Sequence, residues 1–139
     1  MGNTLKINLQ PTECNLCGGK VLYLSNAGIY GRPFGSGYCY YCMECGAYVG
    51  THKGRPKEAF GILANMEMRK LKMACHNIFD SIWNGAEQRK LCYQILAEKL
   101  GIPVEDCHFG YFDTDMLKKA YSILSGRELH REFYRRIEA

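Results

Sequence analysis

Hydrophobic positions change their spacing near His52, and this change predicts two parts with different secondary structure. Before His52, apolar side chains occur in short runs between glycine-rich turns, a pattern typical of β-strands. After it, they recur at three- and four-residue spacing, which is typical of amphipathic helices. We therefore predict an α+β protein in which a sheet over residues 1–52 docks on a helical subdomain over residues 53–139.

The first part contains three short segments with the composition of β-strands. They cover residues 21–24, 38–41 and 47–50. A turn at Asn26 and a glycine-rich loop over residues 30–37 separate the first two segments. This order of strands and turns predicts a small antiparallel sheet.

The second part contains about four segments with helical periodicity. Asn84-Gly85 and Gly101 are stop signals, and Asp113 is a capping residue for the segment that follows it. The predicted helices cover residues 57–83, 86–100, 115–124 and 127–137. A short turn between residues 103 and 107 connects the second helix to the third.

Composition narrows the class of protein. The chain has 139 residues, of which 47% are hydrophobic and 23% are charged, as in ordinary globular domains. These values exclude a disordered chain, and no apolar run approaches the roughly 18 residues of a membrane helix. No signal peptide is recognisable in residues 1–10, so we expect a cytoplasmic protein that does not act on membranes.

Four of the eight cysteines have the spacing of a zinc site. Cys14 and Cys17 form one C-x-x-C-Gly sequence, and Cys42 and Cys45 form another after 24 intervening residues. Two thiolates at this spacing reach one Zn²⁺ when the backbone turns sharply between them, and the following glycine permits a positive φ. We therefore predict one structural zinc ion bound by four cysteines in a zinc ribbon.

Cys39 leaves a second choice of ligands, because Cys39 and Cys42 also have C-x-x-C spacing. No glycine follows Cys42, so we favour Cys45 as its partner and interpret Cys39 as a thiol packed beside the site. A thioredoxin-like redox site requires a βαβ unit, which the pattern does not predict. Zinc content after substitution of Cys39 distinguishes the two ligand sets.

The formal net charge of +4 points only weakly to an acidic partner. Four thiolates and one Zn²⁺ would lower it to about +2. Six cations in residues 53–72, against Glu58 and Glu67, make this the candidate binding surface. They are Lys53, Arg55, Lys57, Arg69, Lys70 and Lys72. Nearby tyrosines available for stacking are Tyr30, Tyr38, Tyr40 and Tyr41.

Three further patterns have a structural and a functional interpretation. The arginines of the last helix pair with Glu128 and Glu132 at helical spacing, which favours a solvated face. Residues 96–103 resemble the start of a helix-turn-helix, but the next segment is short and acidic, which favours helix packing. His76 and His108 each lie near an aspartate, and we favour a role for both in the core.

Catalytic motifs are missing from the sequence. It contains no Gly-x-Ser-x-Gly, P-loop or His-Glu-x-x-His sequence. An HNH-type nuclease requires a ββα unit with His, Asn and His in order, whereas His76 and Asn77 fall inside a predicted helix. We therefore favour a protein that is not an enzyme, keep an HNH-like nuclease as the third and least favoured alternative, and identify no small-molecule substrate.

Several motifs together resemble a known family. The two C-x-x-C-Gly sequences, residues 30–32 and residues 46–54 are followed by further matches at residues 63–69 and 107–113. This pattern resembles the family called zinc-finger-containing domain, which occurs in bacteria and their phages and has no assigned function. The resemblance covers roughly residues 12–124 and implies zinc held by the four cysteines. It implies neither a substrate nor a role for Cys39.

Two partner classes remain after these exclusions. The first is nucleic acid, held by the ribbon and the basic segment 53–72. The second is a host protein, with the chain acting as a small phage-borne inhibitor or modulator of a complex. We favour a non-catalytic zinc-ribbon protein associated with nucleic acid, and the protein-interaction module is the alternative.

Overall fold

The computed structural model describes residues 7–138, which form two compact units. The first unit ends at Glu67 and the second begins at Met68. The domain division between residues 52 and 53 stays a prediction. The unit that contains the sheet continues beyond it, to Glu67. Within the described residues, none of the helices combines the length and the apolar character that a membrane span requires.

The first unit contains a three-stranded antiparallel sheet, as the strand pattern predicts. Its strands are β1 (Val21–Ser25), β2 (Tyr38–Cys42) and β3 (Tyr48–Gly50), in that order across the sheet. A single helical turn, α1 (Ala27–Tyr30), forms at the predicted turn after β1. The register pairs Val21 with Cys42 at one end of the sheet and Ser25 with Tyr38 at the other. The two ends of β2 therefore lead to different sites.

The segment after β3 folds back onto the sheet, and the prediction of helix over residues 57–65 is wrong. Isolated bridges join Thr51 to Ala59 and Tyr48 to Ala64. Ala59, Leu63 and Ala64 are fully buried, and Ala59 and Leu63 belong to the core of this unit together with Tyr40 and Val49. Burial of these apolar side chains against the sheet outweighs the helical spacing of the sequence.

The second unit is helical and confirms the remaining helix predictions to within a few residues. Its core contains fully buried aromatic side chains, among them Phe79, Phe109 and Phe133. Asp113 caps a helix as expected, because its Oδ1 accepts a hydrogen bond of 2.9 Å from the N–H of Met116. The helices are α2 (Met66–Asp80), α3 (Ala86–Leu100), α4 (Thr114–Ser125) and α5 (Glu128–Glu138).

Candidate functional site

The two C-x-x-C-Gly sequences form two turns at one end of the sheet. The first turn precedes β1, and the second follows Cys42, the last residue of β2. The glycine after each pair adopts a positive φ, 76° at Gly18 and 79° at Gly46. This left-handed conformation returns the chain to the sheet and is the reason why glycine occupies both positions.

Backbone amides of both turns point toward cysteine sulfurs. The N–H groups of Leu16 and Gly19 donate to Cys14 Sγ and Cys17 Sγ over 3.3 Å. Cys42 Sγ accepts from two amides at 3.4 Å, those of Glu44 and Cys45. Such donors stabilise negative charge on sulfur, so both turns are shaped to hold thiolates.

The four sulfurs fit a tetrahedral zinc site. The Sγ atoms of Cys14, Cys17, Cys42 and Cys45 all lie within 4.8 Å of one another. Two of these separations are 3.8 Å, between Cys14 and Cys45, and 3.5 Å, between Cys17 and Cys42. Two sulfurs at about 2.3 Å from one tetrahedral Zn²⁺ are expected about 3.8 Å apart. The distances are far too long for a disulfide and match a single structural zinc site.

The pKa values of the clustered thiols favour binding of a cation. Hydrogen bonds from the amides of Cys45 and Glu44 lower the pKa of Cys42 to about 6. The amide of Gly19 also lowers the pKa of Cys17, but the neighbouring Cys42 and burial outweigh it and raise that pKa to about 12. Crowded thiols of this kind cannot all ionise without a compensating positive charge. A bound Zn²⁺ supplies that charge and removes the remaining protons.

The other cysteines lie outside the four-sulfur cluster. Cys39 is buried in the middle of the sheet, on β2, where desolvation raises the pKa of its thiol. Cys75, Cys92 and Cys107 are buried in the helical unit, and burial raises the pKa of each to between about 11 and about 12. Thiols of this kind are chemically inert packing residues.

The predicted binding surface is divided between the two units. Lys53, Arg55 and Lys57 are exposed in the loop after β3, which we call the basic loop (residues 53–57). Two tyrosine hydroxyls of the sheet hold this loop. Tyr23 donates to the carbonyl of Pro56 over 2.7 Å, and Tyr40 donates to that of Lys57 over 2.6 Å. The basic loop is therefore fixed to the sheet by its backbone, and its side chains point to solvent.

The remaining three predicted cations lie on α2, mainly in the helical unit. Lys70 is exposed, whereas Arg69 and Lys72 are half-buried. Burial and the neighbouring Arg69 lower the pKa of Lys72. In the basic loop itself, Arg55 forms an ion pair of 2.9 Å with Glu58. Lys53 and Lys57 are thus the two cations of the loop without an ion pair among the described residues.

Only two of the four predicted stacking tyrosines are well exposed. Tyr30 and Tyr38 are 51% and 42% exposed, whereas Tyr40 is buried and Tyr41 is half-buried. The prediction for Tyr40 is wrong because its ring belongs to the core of the unit and its hydroxyl holds the basic loop.

Two phenylalanines that the sequence analysis missed lie beside the exposed tyrosines. Phe34 is 66% exposed and Phe60 is 54% exposed. Together with Tyr30, Tyr38 and Lys53 they line a depression of about 330 Å³ that we call the aromatic groove. The position of Phe34 between a proline and a glycine in a loop was the available signal for its exposure.

The histidines and the helix-turn-helix candidate lie in the helical unit. The prediction of a core role for His76 and His108 is wrong, because both residues are exposed. His76 Nδ1 is 3.8 Å from Asp80 Oδ2 on α2, and partial desolvation lowers the pKa of His76. Asn77 follows it in the same helix, as the sequence predicts. The segment after α3 forms two short 3-10 turns, Val104–Asp106 and Phe109–Tyr111, so no recognition helix follows residues 96–103.

Two arginines of α5 form ion pairs, and one of the predicted pairs, Glu132 with Arg136, is present. Arg135 and Arg136 both bond the carboxylate of Glu132, and Arg136 also reaches Glu98 of α3 at 2.6 Å. These pairs neutralise much of the positive charge of the last turn. Two of the three arginines of α5 are thereby paired within the unit itself.

Comparison with known proteins supports the metal site. A family model described as a zinc-finger-containing domain matches residues 10–127. The matched range contains the four clustered cysteines, the sheet and helices α2 to α4. Neither a curated protein nor a solved structure gives a significant match to the chain.

Proposed function

Because this chain belongs to the zinc-finger-containing domain family, we propose that it is a non-catalytic zinc ribbon that binds nucleic acid. The zinc site serves as the structural centre of the ribbon. The basic loop and the aromatic groove serve as the binding surface. The single observation that supports the proposal most is that Lys53 lies at the edge of a groove lined by exposed aromatic rings.

The chemistry of this surface matches a polyanion that carries flat bases. Lysine ammonium groups attract phosphates, and exposed rings provide faces on which bases stack. Lys53 and Lys57 are presented on a loop that two tyrosine hydroxyls hold in place. A surface held in advance loses little entropy on binding.

The negative charge of the zinc–thiolate cluster does not cancel this attraction. Four cysteine thiolates and the Zn²⁺ that they bind together carry a formal charge of about −2. Cys42 lies at the zinc end of β2, and Tyr38 of the aromatic groove lies at the other end. Four residue steps along a strand separate them by about 13 Å. This distance exceeds the screening length of about 8 Å at physiological salt.

Salt-dependent binding tests the proposal. Labelled single-stranded DNA and RNA of mixed sequence are titrated with the zinc-loaded protein at several salt concentrations, with fluorescence anisotropy as the readout. We expect affinity to fall as salt rises. When Lys53→Gln removes a phosphate contact, the slope of log affinity against log salt concentration should become shallower by about one. Lys119→Gln, on the exposed side of α4, is the matched control. Absence of binding to both nucleic acids at low salt would overturn the proposal.

A protein partner is the second candidate, and the same groove is the observation that favours it. Exposed phenylalanine and tyrosine side chains also anchor protein interfaces. A pull-down from nuclease-treated bacterial lysate separates the candidates. A stoichiometric protein that is captured by the native chain and lost with Phe34→Ala supports this function, provided that the titrations show no nucleic-acid binding.

A further inference from the structure

The aromatic groove is lined by three segments of the ribbon unit. The loop after α1 supplies Phe34, the beginning of β2 supplies Tyr38, and the segment after the basic loop supplies Phe60. Its volume of about 330 Å³ lies at the small end of the range for ligand sites in proteins. The groove therefore suits one small flat group rather than a helix or a duplex.

The walls of the groove are held by hydrogen bonds before any ligand arrives. The buried Asn26 side chain forms two bonds with the backbone of Phe34, of 2.7 Å and 2.9 Å. Elsewhere in the groove, the N–H of Phe60 donates to the carbonyl of Gly50 over 3.0 Å. The Phe60 ring lies against Gly50, where a β-carbon would stand 3.5 Å from it.

The rings in this groove are unusually accessible for phenylalanines. Phe34 and Phe60 are each more than half exposed to solvent, although a phenylalanine side chain has no polar atom that could bond water. Exposed apolar surface that is held in place by buried hydrogen bonds indicates a binding role. Lys53 at the edge adds a cation that would meet a phosphate next to the bound group.

We infer that the aromatic groove binds one unpaired nucleobase, so that the ligand class is single-stranded nucleic acid. This inference rests on the proposed nucleic-acid function. A base exposes its faces for stacking on aromatic side chains only when it is outside a duplex. The adjacent phosphate then lies within reach of Lys53.

Base identity contributes little to this binding, because every base has a face that stacks on an aromatic ring and the two short hydroxyl side chains of the groove are already engaged. The hydroxyls of Ser36 and Thr51 lie 2.6 Å apart, and both are within hydrogen-bond distance of the carbonyl of Tyr38. One of the two hydroxyls donates its proton to the other hydroxyl, and the second donates its proton to the carbonyl of Tyr38. Ser36 Oγ also accepts from the N–H of Tyr38 at 3.1 Å. Neither Ser36 nor Thr51 has a hydroxyl proton left for a base edge, so we expect stacking to dominate and sequence preference to be weak.

The test compares one oligonucleotide as a single strand and as a duplex with its complement. The protein is the zinc-loaded full chain, titrated at low salt by fluorescence anisotropy. We expect the single strand to bind at least about fivefold more tightly than the duplex, and Phe34→Ala to remove that preference. Phe34→Tyr, which keeps a stacking face, restores it. Met73→Ala on α2 is the control, since Met73 is also 66% exposed.

The outcomes separate this inference from the proposed function. Equal affinity for both forms, with Phe34→Ala unchanged, overturns the unpaired-base site but leaves nucleic-acid binding intact. Absence of binding to both forms overturns the proposed function as well. Zinc content close to one per chain in each variant shows that a loss of affinity reflects the groove and not a disrupted ribbon.

Discussion

The side-chain amide of Asn26 forms two hydrogen bonds with the backbone of Phe34: Nδ2 donates to the carbonyl over 2.7 Å, and Oδ1 accepts from the N–H at 2.9 Å. Asn26 is 4% exposed, and its own N–H donates to the carbonyl of Gly37. One residue thus fastens the middle and the end of the loop that carries Phe34. Asn26 is a positioning residue for the aromatic groove.

Asn26→Ala should loosen this loop and weaken nucleic-acid binding while zinc is retained. Loss of both side-chain bonds leaves two part-buried backbone groups of Phe34 without these partners, which destabilises the loop by about 1 kcal/mol. The cysteines lie at the other end of the sheet, so the metal content should stay near one zinc per chain. Anisotropy titration and metal analysis check the two parts, with the exposed Asn77→Ala as control. Native affinity in Asn26→Ala would show that the loop does not depend on this amide.

Serine substitutions distinguish the zinc ligands from Cys39. We expect Cys42→Ser to lose zinc and to unfold the ribbon, because structural zinc contributes about 10 kcal/mol or more to the folding of such sites. Cys39→Ser removes a buried thiol outside the four-sulfur cluster and should keep one zinc per chain. Metal analysis of both purified variants is the measurement. Loss of zinc from the single variant Cys39→Ser would instead assign Cys39 to the site.

Gly46→Ala should reduce zinc affinity through the backbone alone. Gly46 has a φ of 79°, and its would-be β-carbon meets only the hydroxyl of Tyr41 at 3.6 Å. The left-handed conformation costs a non-glycine residue about 1–2 kcal/mol, or roughly five- to 30-fold in affinity when binding is coupled to folding. Competition with a zinc chelator measures it. Gly28→Ala in α1 has open space and no positive φ, so an equal effect there would refute the argument.

The sequence predicted those features that depend on local chemistry. The cysteine spacing and the glycines at positions 18 and 46 specified the two turns, and short apolar runs specified the strands. The return of residues 57–65 to the sheet depends on tertiary contacts of Ala59 and Leu63, which helical spacing does not contain. The aromatic groove was missed for the same reason. Phe34 and Phe60 are far apart in sequence, and the fold alone brings them to one depression.

The ion pairs of α5 give the helical unit a defined response to acid. Hydrogen bonds from Arg135 and Arg136 lower the pKa of Glu132 to about 2. The unfolded chain has a glutamate pKa of about 4.3. A carboxylate whose pKa is lower when folded contributes stability above pH 4.3, and this contribution is lost as the pH falls from there toward 2.

Glu132→Gln should therefore reduce the pH dependence of the stability of the helical unit between about pH 4.3 and about pH 2. Helix loss followed by circular dichroism during acid titration is the measurement, and carboxyl NMR of the native chain gives the pKa of Glu132 directly. The titration is run on zinc-free protein for both chains, since acid also protonates the cysteine ligands. Glu138→Gln, exposed on the same helix, is the control. A Glu132 carboxyl that titrates near pH 4.3 would show that its two arginine bonds do not persist in solution.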